Sequence, residues 1–318
     1  MKLSLVIPCY NEQDNVQPMY EAVEAAFVAL PEAIRSYELV FVNDGSKDET
    51  AARLRALHKA HPARVSVVDF SRNFGKEAAV YAGLTHASGD FISIIDADLQ
   101  QRPEIVVEMV QHLLDDENCD VVAAYQDKRI EGRCISFIKK MFYKVINKAC
   151  DIEFISGASD FRTFRRTVAD AILSVQEYYR FSKGIFSWIG FNTYFMPYTA
   201  EKRHAGQTKW SFFKLLRYAF GGIMSFSTFP LKLSTWMGVL FSFASLVYMV
   251  VTVVQKLAFG VDVPGYATIV VLILLLGGIQ LLILGLMGEY LARVYMEGKH
   301  RPIYIERQYL EAEDSADA

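Results

Sequence analysis

The chain has 318 residues, with 33 Lys+Arg against 36 Asp+Glu for a net charge of -3, and 52% of it is apolar. That length bounds it at one large domain or two, and 22% charged residues with a mean hydropathy of +0.18 exclude a disordered or collagen-like chain. Near-neutral charge gives no broad basic face for nucleic acid, so any phosphate handling must be local.

Met1 to Pro8 lacks the apolar core and small-residue cleavage site of a signal peptide and reads as a first strand. Up to about Tyr125, short β-branched runs alternate with helical patterns, the mark of repeated βα units around a mostly parallel sheet. Strands are expected at Leu3 to Ile7, Glu38 to Asn43, Val65 to Phe70, Phe91 to Ile95 and Val121 to Ala124. Helices are expected at Asn15 to Ala29, Thr50 to His61, Lys76 to His86 and Pro103 to Leu114, the last with proline near its first turn. His58 and His61 read as a solvated helix face. Cys9, Cys119, Cys134 and Cys150 form no CxxC pair, which fits a reduced, cytosol-facing soluble part.

Arg133 to Cys150 is a basic amphipathic stretch that reads as lying on an anionic membrane face, with an ordinary surface helix carrying a solvated charged edge as the alternative. Ser211 to Phe226, with Lys214 and Arg217 among aromatics, reads as interfacial. Leu231 to Val254 and Ala267 to Leu291 are each long enough, at ~1.5 Å per residue, to cross a hydrocarbon core of ~30 Å. Lys209, Lys214, Arg217 and Lys232 flank the first, and Arg293, Lys299 and Arg301 follow the second. The positive-inside rule then puts both flanks in the cytoplasm and the loop Gln255 to Tyr266 outside. Glu289 is expected to anchor at the inner interface. Gly277, Gly278, Gly285 and Gly288 allow either tight packing within the hairpin or contacts in a homo-oligomer. The tail, Gln308 to Ala318, is polar and acidic and is expected to be loose.

The chemistry concentrates at strand ends, where open α/β sheets bind ligands. Asp96 and Asp98 leave a buried strand two residues apart, with Ala97 between them and Gln100 next. Two such carboxylates repel and resist desolvation unless a cation or proton compensates, which a hard Mg2+ or Mn2+ shared with substrate phosphates supplies. Asp44 leaves a second strand into Gly45-Ser46. It can accept from a base N–H or ribose hydroxyl, or it shapes a turn with Ser46 or Asp48 capping the next helix. Pro8-Cys9-Tyr10-Asn11-Glu12 ends the first strand at the same edge. Neither GxGxxG after the first strand nor GxxxxGK[ST] occurs, so dehydrogenase and P-loop chemistry lack their phosphate cradle. Cations come instead from Ser71-Arg72-Asn73-Phe74-Gly75-Lys76 and from the 201–210 stretch, where Arg203 and Lys209 suit a phosphate or diphosphate. Asp160, after a small-residue run, is a candidate base or acceptor-orienting group, or a cap for a helix from Arg165.

Assembled, these residues resemble inverting GT-A glycosyltransferases of family 2, and the two C-terminal spans resemble its polyisoprenyl-phosphate glycosyltransferases. The resemblance rests on Pro8 to Glu12, Asn43 to Ser46, Arg72 to Lys76, Asp96 to Gln100, Ser159 to Arg162 and Arg203 to Trp210. It implies an α/β, Rossmann-like catalytic domain at 1–210, a juxtamembrane amphipathic segment at 211–230, a transmembrane hairpin at 231–293 and a cytoplasmic tail at 294–318. It implies that Pro8, Tyr10, Asn11, Glu12, Asp44, Lys76, Asp96, Ala97 and Asp98 bind the nucleotide sugar. Asp98, Asp96 and Gln100 would hold Mg2+ or Mn2+, Arg203 and Lys209 the phosphates, and Asp160 and Asp98 would be catalytic.

The implied reaction moves glucose from UDP-glucose to undecaprenyl phosphate at the bacterial inner membrane, with GDP-mannose or UDP-aminoarabinose as alternative donors. A non-catalytic scaffold or flippase partner is the rival of another class. Gln101 departs from the family's DADLQDPPE pattern, standing where that pattern has the aspartate after its glutamine, so no acidic residue there can support the metal. The QxxRW motif of processive synthases is absent, which argues for one transfer per acceptor.

Overall fold

The computed structural model describes residues 1–126, 158–199, 227–259 and 265–313. β1 (Lys2–Cys9) buries Leu3 to Ile7 completely, as a strand covered on both faces must. It pairs in parallel with β2 (Ser36–Asn43) and β4 (Phe91–Ile94), and β2 pairs in parallel with β3 (Val65–Phe70). Crossovers run through α1 (Val16–Phe27), α2 (Thr50–Ala60) and α3 (Lys76–His86), and α4 (Glu104–Asp115) leads to β5 (Val121–Gln126). Every element expected in this half is present, with ends displaced by no more than two residues.

The next stretch was not legible as strand. β6 (Ala158–Arg165) inserts antiparallel between β4 and β5, while β7 (Thr193–Tyr198) adds in parallel beyond β5. Between them lie α5 (Arg166–Ser174) and α6 (Ser182–Trp188). Asp160 thus sits inside a strand and does not cap a helix. The eight strands among the described residues, the last being β8 at Glu306–Leu310, run β7-β5-β6-β4-β1-β2-β3-β8, with α1, α2 and α4 contributing to the apolar layer on one face and α3, α5 and α6 to the other. Arg165 and Arg166 close the sandwich by donating to carbonyls just past the ends of α4 and α3, including Cys119 and Gly89.

Residues 308–313 correct the expectation of a loose tail, while 314–318 lie outside the described residues. β8 (Glu306–Leu310) pairs antiparallel with β3. Tyr304 stacks on Phe70 with ring centroids 4.9 Å apart, and Tyr309 meets the His86 ring at 4.0 Å. The exposed edge of β3 needed a partner, and these aromatics bind the segment to it despite its polar residues. His58 and His61 are likewise packed rather than solvated: His61 stacks on Tyr20 at 4.3 Å, and His58 Nδ1 lies 2.6 Å from the Val65 carbonyl oxygen.

α7 (Phe229–Phe259) and α8 (Tyr266–Glu297) contain the two apolar stretches, with mean hydropathies of 2.2 and 2.5 over the candidate spans. Trp236, Leu274 and Leu281 are about 70% exposed, so the helices have the length and outward apolar surface that a bilayer would cover. A Cβ on Gly277, Gly278, Gly285 or Gly288 would meet nothing within 4 Å among the described residues. Glu289 is half-exposed, 3.8 Å from the Arg293 guanidinium one turn on. Arg133 to Cys150, residues 211–226 and the centre of the loop between the spans lie outside the described residues.

Candidate active site

Because β1 to β4 are parallel, their carboxyl ends share one edge of the sheet, and antiparallel β6 brings its first residues to that same edge. The pairing of Ile94 with Arg162, carried two residues further, sets Asp160 across from Asp96. Lys76, the first residue of α3, fills the gap. Its Nζ lies 2.5 Å from Asp96 Oδ1 and 3.2 Å from Asp160 Oδ2. Of the two carboxylates expected to need a cation, Asp96 and Asp98, the first therefore takes its positive charge from a lysine of the chain, shared with Asp160.

The electrostatics follow from this bridge. Burial disfavours the Lys76 ammonium, but Asp96 and then Asp160 outweigh it and hold the pKa well above the lysine range. Burial also disfavours the Asp160 carboxylate, yet Lys76, with Lys183 and Arg162 behind it, holds that pKa well below the usual carboxylate range. Asp160 Oδ1 is buried with no hydrogen-bond partner among the described residues.

The turn after β4 is strained. Leu99 sits at φ +60°, a conformation a branched side chain rarely takes, and such strain clusters at ligand sites. Asp98 is buried and accepts from the Gln100 N–H at 3.2 Å, while Ala97 packs into the core. Gln101 supplies a role that composition could not suggest. Its side chain is buried, its Oε1 accepts from the Asp96 N–H at 2.9 Å and its Nε2 donates to Asp96 Oδ2 at 3.3 Å. The amide that replaces an acidic residue thus orients Asp96.

Asp44 faces inward. Its Oδ1 accepts from Phe74 N–H at 2.7 Å, its Oδ2 from Asn73 Nδ2 at 2.8 Å, and both oxygens from Gly75 N–H at 3.0 to 3.1 Å. Burial pushes its pKa up, against the lowering effect of those amides and of Arg72. Gly45, at φ +60°, presses onto this loop so closely that a Cβ would stand 2.3 Å from the Arg72 carbonyl carbon. Asn11 N–H donates to Ser46 Oγ at 2.9 Å, and Glu12 Oε2 accepts from Asn15 Nδ2 at 2.6 Å. Asp48 takes the capping role, accepting from Thr50 N–H at 3.1 Å. Pro8 and Tyr10 are half-buried at the same edge. Arg203 and Lys209 lie outside the described residues. The structure therefore brings together Pro8 to Glu12, Asp44, Lys76, Asp96, Asp98, Gln100 and Asp160. Asn73 and Gln101 are the members that sequence reasoning missed, since hydrogen bonding alone distinguishes them.

A mostly parallel sheet whose ligand edge gathers carboxylates and a lysine, followed by two helices long and apolar enough to cross a membrane, has the layout of an α/β enzyme of the nucleotide-binding type. Comparison with known proteins makes this specific. Residues 4–173 match glycosyl transferase family 2, and residues 229–294 match the GtrB C-terminal hairpin. The bactoprenol glucosyl transferase of Shigella phage SfV is 40% identical over 308 residues, covering 96% of this chain and 98% of that one. A prophage bactoprenol glucosyl transferase homolog of Escherichia coli K12 is 40% identical over 310 residues, 96% and 98% of the two chains. A Synechocystis protein described only as a glycosyltransferase is 42% identical over 306 residues, 96% and 94%. The chain belongs to glycosyl transferase family 2.

Proposed function

We propose that the chain transfers glucose from UDP-glucose to undecaprenyl phosphate, with inversion, at the cytoplasmic face of a bacterial inner membrane. The observation that carries this reading is the extent of the likeness: relatives named as bactoprenol glucosyl transferases match at 40% through both the sheet-edge site and the hairpin.

Pro8, Tyr10, Asn11, Glu12 and the loop held by Asp44 form the nucleotide side, and Arg203 and Lys209 meet the phosphates. An oxygen of the acceptor phosphate attacks the anomeric carbon, the bond from that carbon to the diphosphate oxygen breaks, and UDP departs with the electron pair. A phosphate monoester has its second pKa near ~6, so the nucleophile is already ionised and little proton removal is needed. Asp160, kept ionised by Lys76, is a poor base by its pKa and serves instead to orient, its buried Oδ1 being suited to a sugar hydroxyl. Lys76 keeps Asp96 and Asp160 apart in charge, so that two carboxylates and a diphosphate can share one edge.

The donor set fits a divalent cation. Asp98 offers a hard carboxylate oxygen beside Asp96 and Gln100, and no group of three or more His, Cys, Asp or Glu among the described residues is placed to cage an ion unaided. Mg2+ or Mn2+ would then be held jointly with the donor's phosphates, where it supplies charge stabilisation to the leaving UDP. Both chain ends are assigned to the cytoplasm. The basic flanks favour it, and so does the pairing of β8 with β3, which returns the chain after the second span to the soluble domain.

The test is incubation of the purified protein with undecaprenyl phosphate and labelled nucleotide sugars. Label from UDP-glucose should enter the organic phase, and chelation should stop it until Mg2+ or Mn2+ is restored. Label arriving from GDP-mannose or UDP-aminoarabinose instead would overturn the donor; none from any sugar would leave the scaffold reading.

A further inference from the structure

The segment that follows the second span does more than cover a sheet edge. Its residues reach the loop that holds Asp44. Ser71 N–H donates to the Ile305 carbonyl at 3.0 Å, and Arg307 Nη2 donates to the Ser71 carbonyl at 3.0 Å, so the first residue after β3 is gripped on both sides. Tyr304 lies flat on Phe70, whose ring also meets Phe74 edge-on at 5.7 Å. Phe74 and Gly75 are the residues whose N–H groups enter the Asp44 carboxylate. The pairing of β3 with β8 is irregular between Asp69 and Phe70, where the chain leaves the sheet for this loop. His86, at the other end of α3, has its Nε2 2.7 Å from Glu306 Oε1, so the segment touches both ends of the loop-and-helix unit that carries Lys76.

We propose that residues 303–310 are a strap that holds the 71–75 loop in the conformation gripping Asp44, making Tyr304 and Arg307 positioning residues of the nucleotide site. The physical basis is cooperative. The loop contributes a run of backbone donors to one buried carboxylate, and such a run is effective only if its backbone is held in register. The strap supplies that hold from outside the loop. It also joins the site to the membrane hairpin, because only a short turn separates it from Glu297 at the end of α8, whose Oε1 accepts from Tyr178 N–H at 2.9 Å.

The inference rests on the nucleotide reading of this edge, so it is tested by two measurements on the full-length protein in detergent. Hydrogen exchange of the 71–76 segment is followed without nucleotide, and UDP affinity and steady-state kinetics are followed with it. Tyr304→Leu should deprotect the segment and weaken UDP binding by about tenfold, raising KM for the donor while kcat stays within about twofold. Tyr304→Phe keeps the stacked ring and should restore both. Arg307→Ala removes one hydrogen bond at an exposed side chain, so it tests the strap even where Tyr304→Leu fails to fold. It should give a smaller loss of protection and about a threefold weaker affinity. Unchanged protection in Arg307→Ala and Tyr304→Leu overturns the strap whatever the nucleotide does. A Tyr304→Phe protein as impaired as Tyr304→Leu overturns the stacking contact as its means. Lost protection with unchanged UDP affinity supports the strap's hold on the loop and removes the nucleotide from that loop.

Discussion

Lys76 shows how one residue resolves a conflict that the sheet edge creates. Asp96 and Asp160 come from strands running in opposite directions and meet because of register, and the ammonium between them meets both charges. Replacing it by Lys76→Met leaves two partly buried carboxylates facing each other, so kcat/KM should fall by about 100-fold or more. The same variant removes the dominant force holding the Asp160 pKa down and leaves burial acting on it. Its pH–rate profile should therefore gain a further fall on the acid side, beyond the one that protonation of the acceptor phosphate gives both proteins, because the parent keeps Asp160 ionised throughout the working range. An acid limb of identical shape in both proteins would refute this account. Asp98→Asn is expected to lose the response to added Mg2+ or Mn2+ after chelation while its thermal unfolding stays within about 0.5 kcal/mol of the parent. An intact metal response would reassign the ion.

Among the elements, α3 packs against β1 at Gly83, where a Cβ would stand 2.1 Å from Val6 Cγ1. Gly83→Ala should cost about 1–3 kcal/mol by overpacking, readable as a lower denaturant midpoint with an unchanged slope. At the sheet's opposite end a buried carboxylate joins β1, β2 and the loop between α3 and β4. Glu38 accepts from Ser4 Oγ at 2.5 Å and Ser88 N–H at 2.7 Å, and Lys2 Nζ lies 2.7 Å away. Burial opposes its ionisation, but Lys2, Ser4 and Ser88 outweigh that and lower its pKa. A depressed carboxyl pKa contributes stability that is complete above the ordinary glutamate range and drains away as the pH falls through the folded value. Unfolding free energy should thus drop on acidification below about pH 4.5, and Glu38→Gln should flatten that part of the curve. Equal acid sensitivity in parent and variant would discount the network.

For the whole molecule, the decisive geometry is that one sheet contains strands from before and after the hairpin. On the proposed reading of α7 and α8 as spans, the pairing of β8 with β3 favours both ends of the hairpin on one side of the membrane. Reporters fused after Glu313 and after Phe259 should accordingly report opposite sides, the former cytoplasmic. Reporters on one side would break the two-span topology.

Much of this was readable along the chain. β1 to β5 are covered on both faces and so appear as continuous apolar runs, the spans are too long and too apolar for anything but a hydrocarbon setting or a buried core, and Asp96 and Asp98 declare themselves by following such a run. β6 did not, because Asp160, Arg162 and Arg165 interrupt its pattern, and β8 did not, because its sequence is polar and only the edge of β3 makes it a strand. Local order is written in periodicity, which any short window reveals. The bridge through Lys76, the inward turn of Asp44, the amide of Gln101 on Asp96 and the strap at 303–310 depend on which strands become neighbours and in what register. Those pairings are settled by the burial of the whole sheet, so they exist only once the chain has folded.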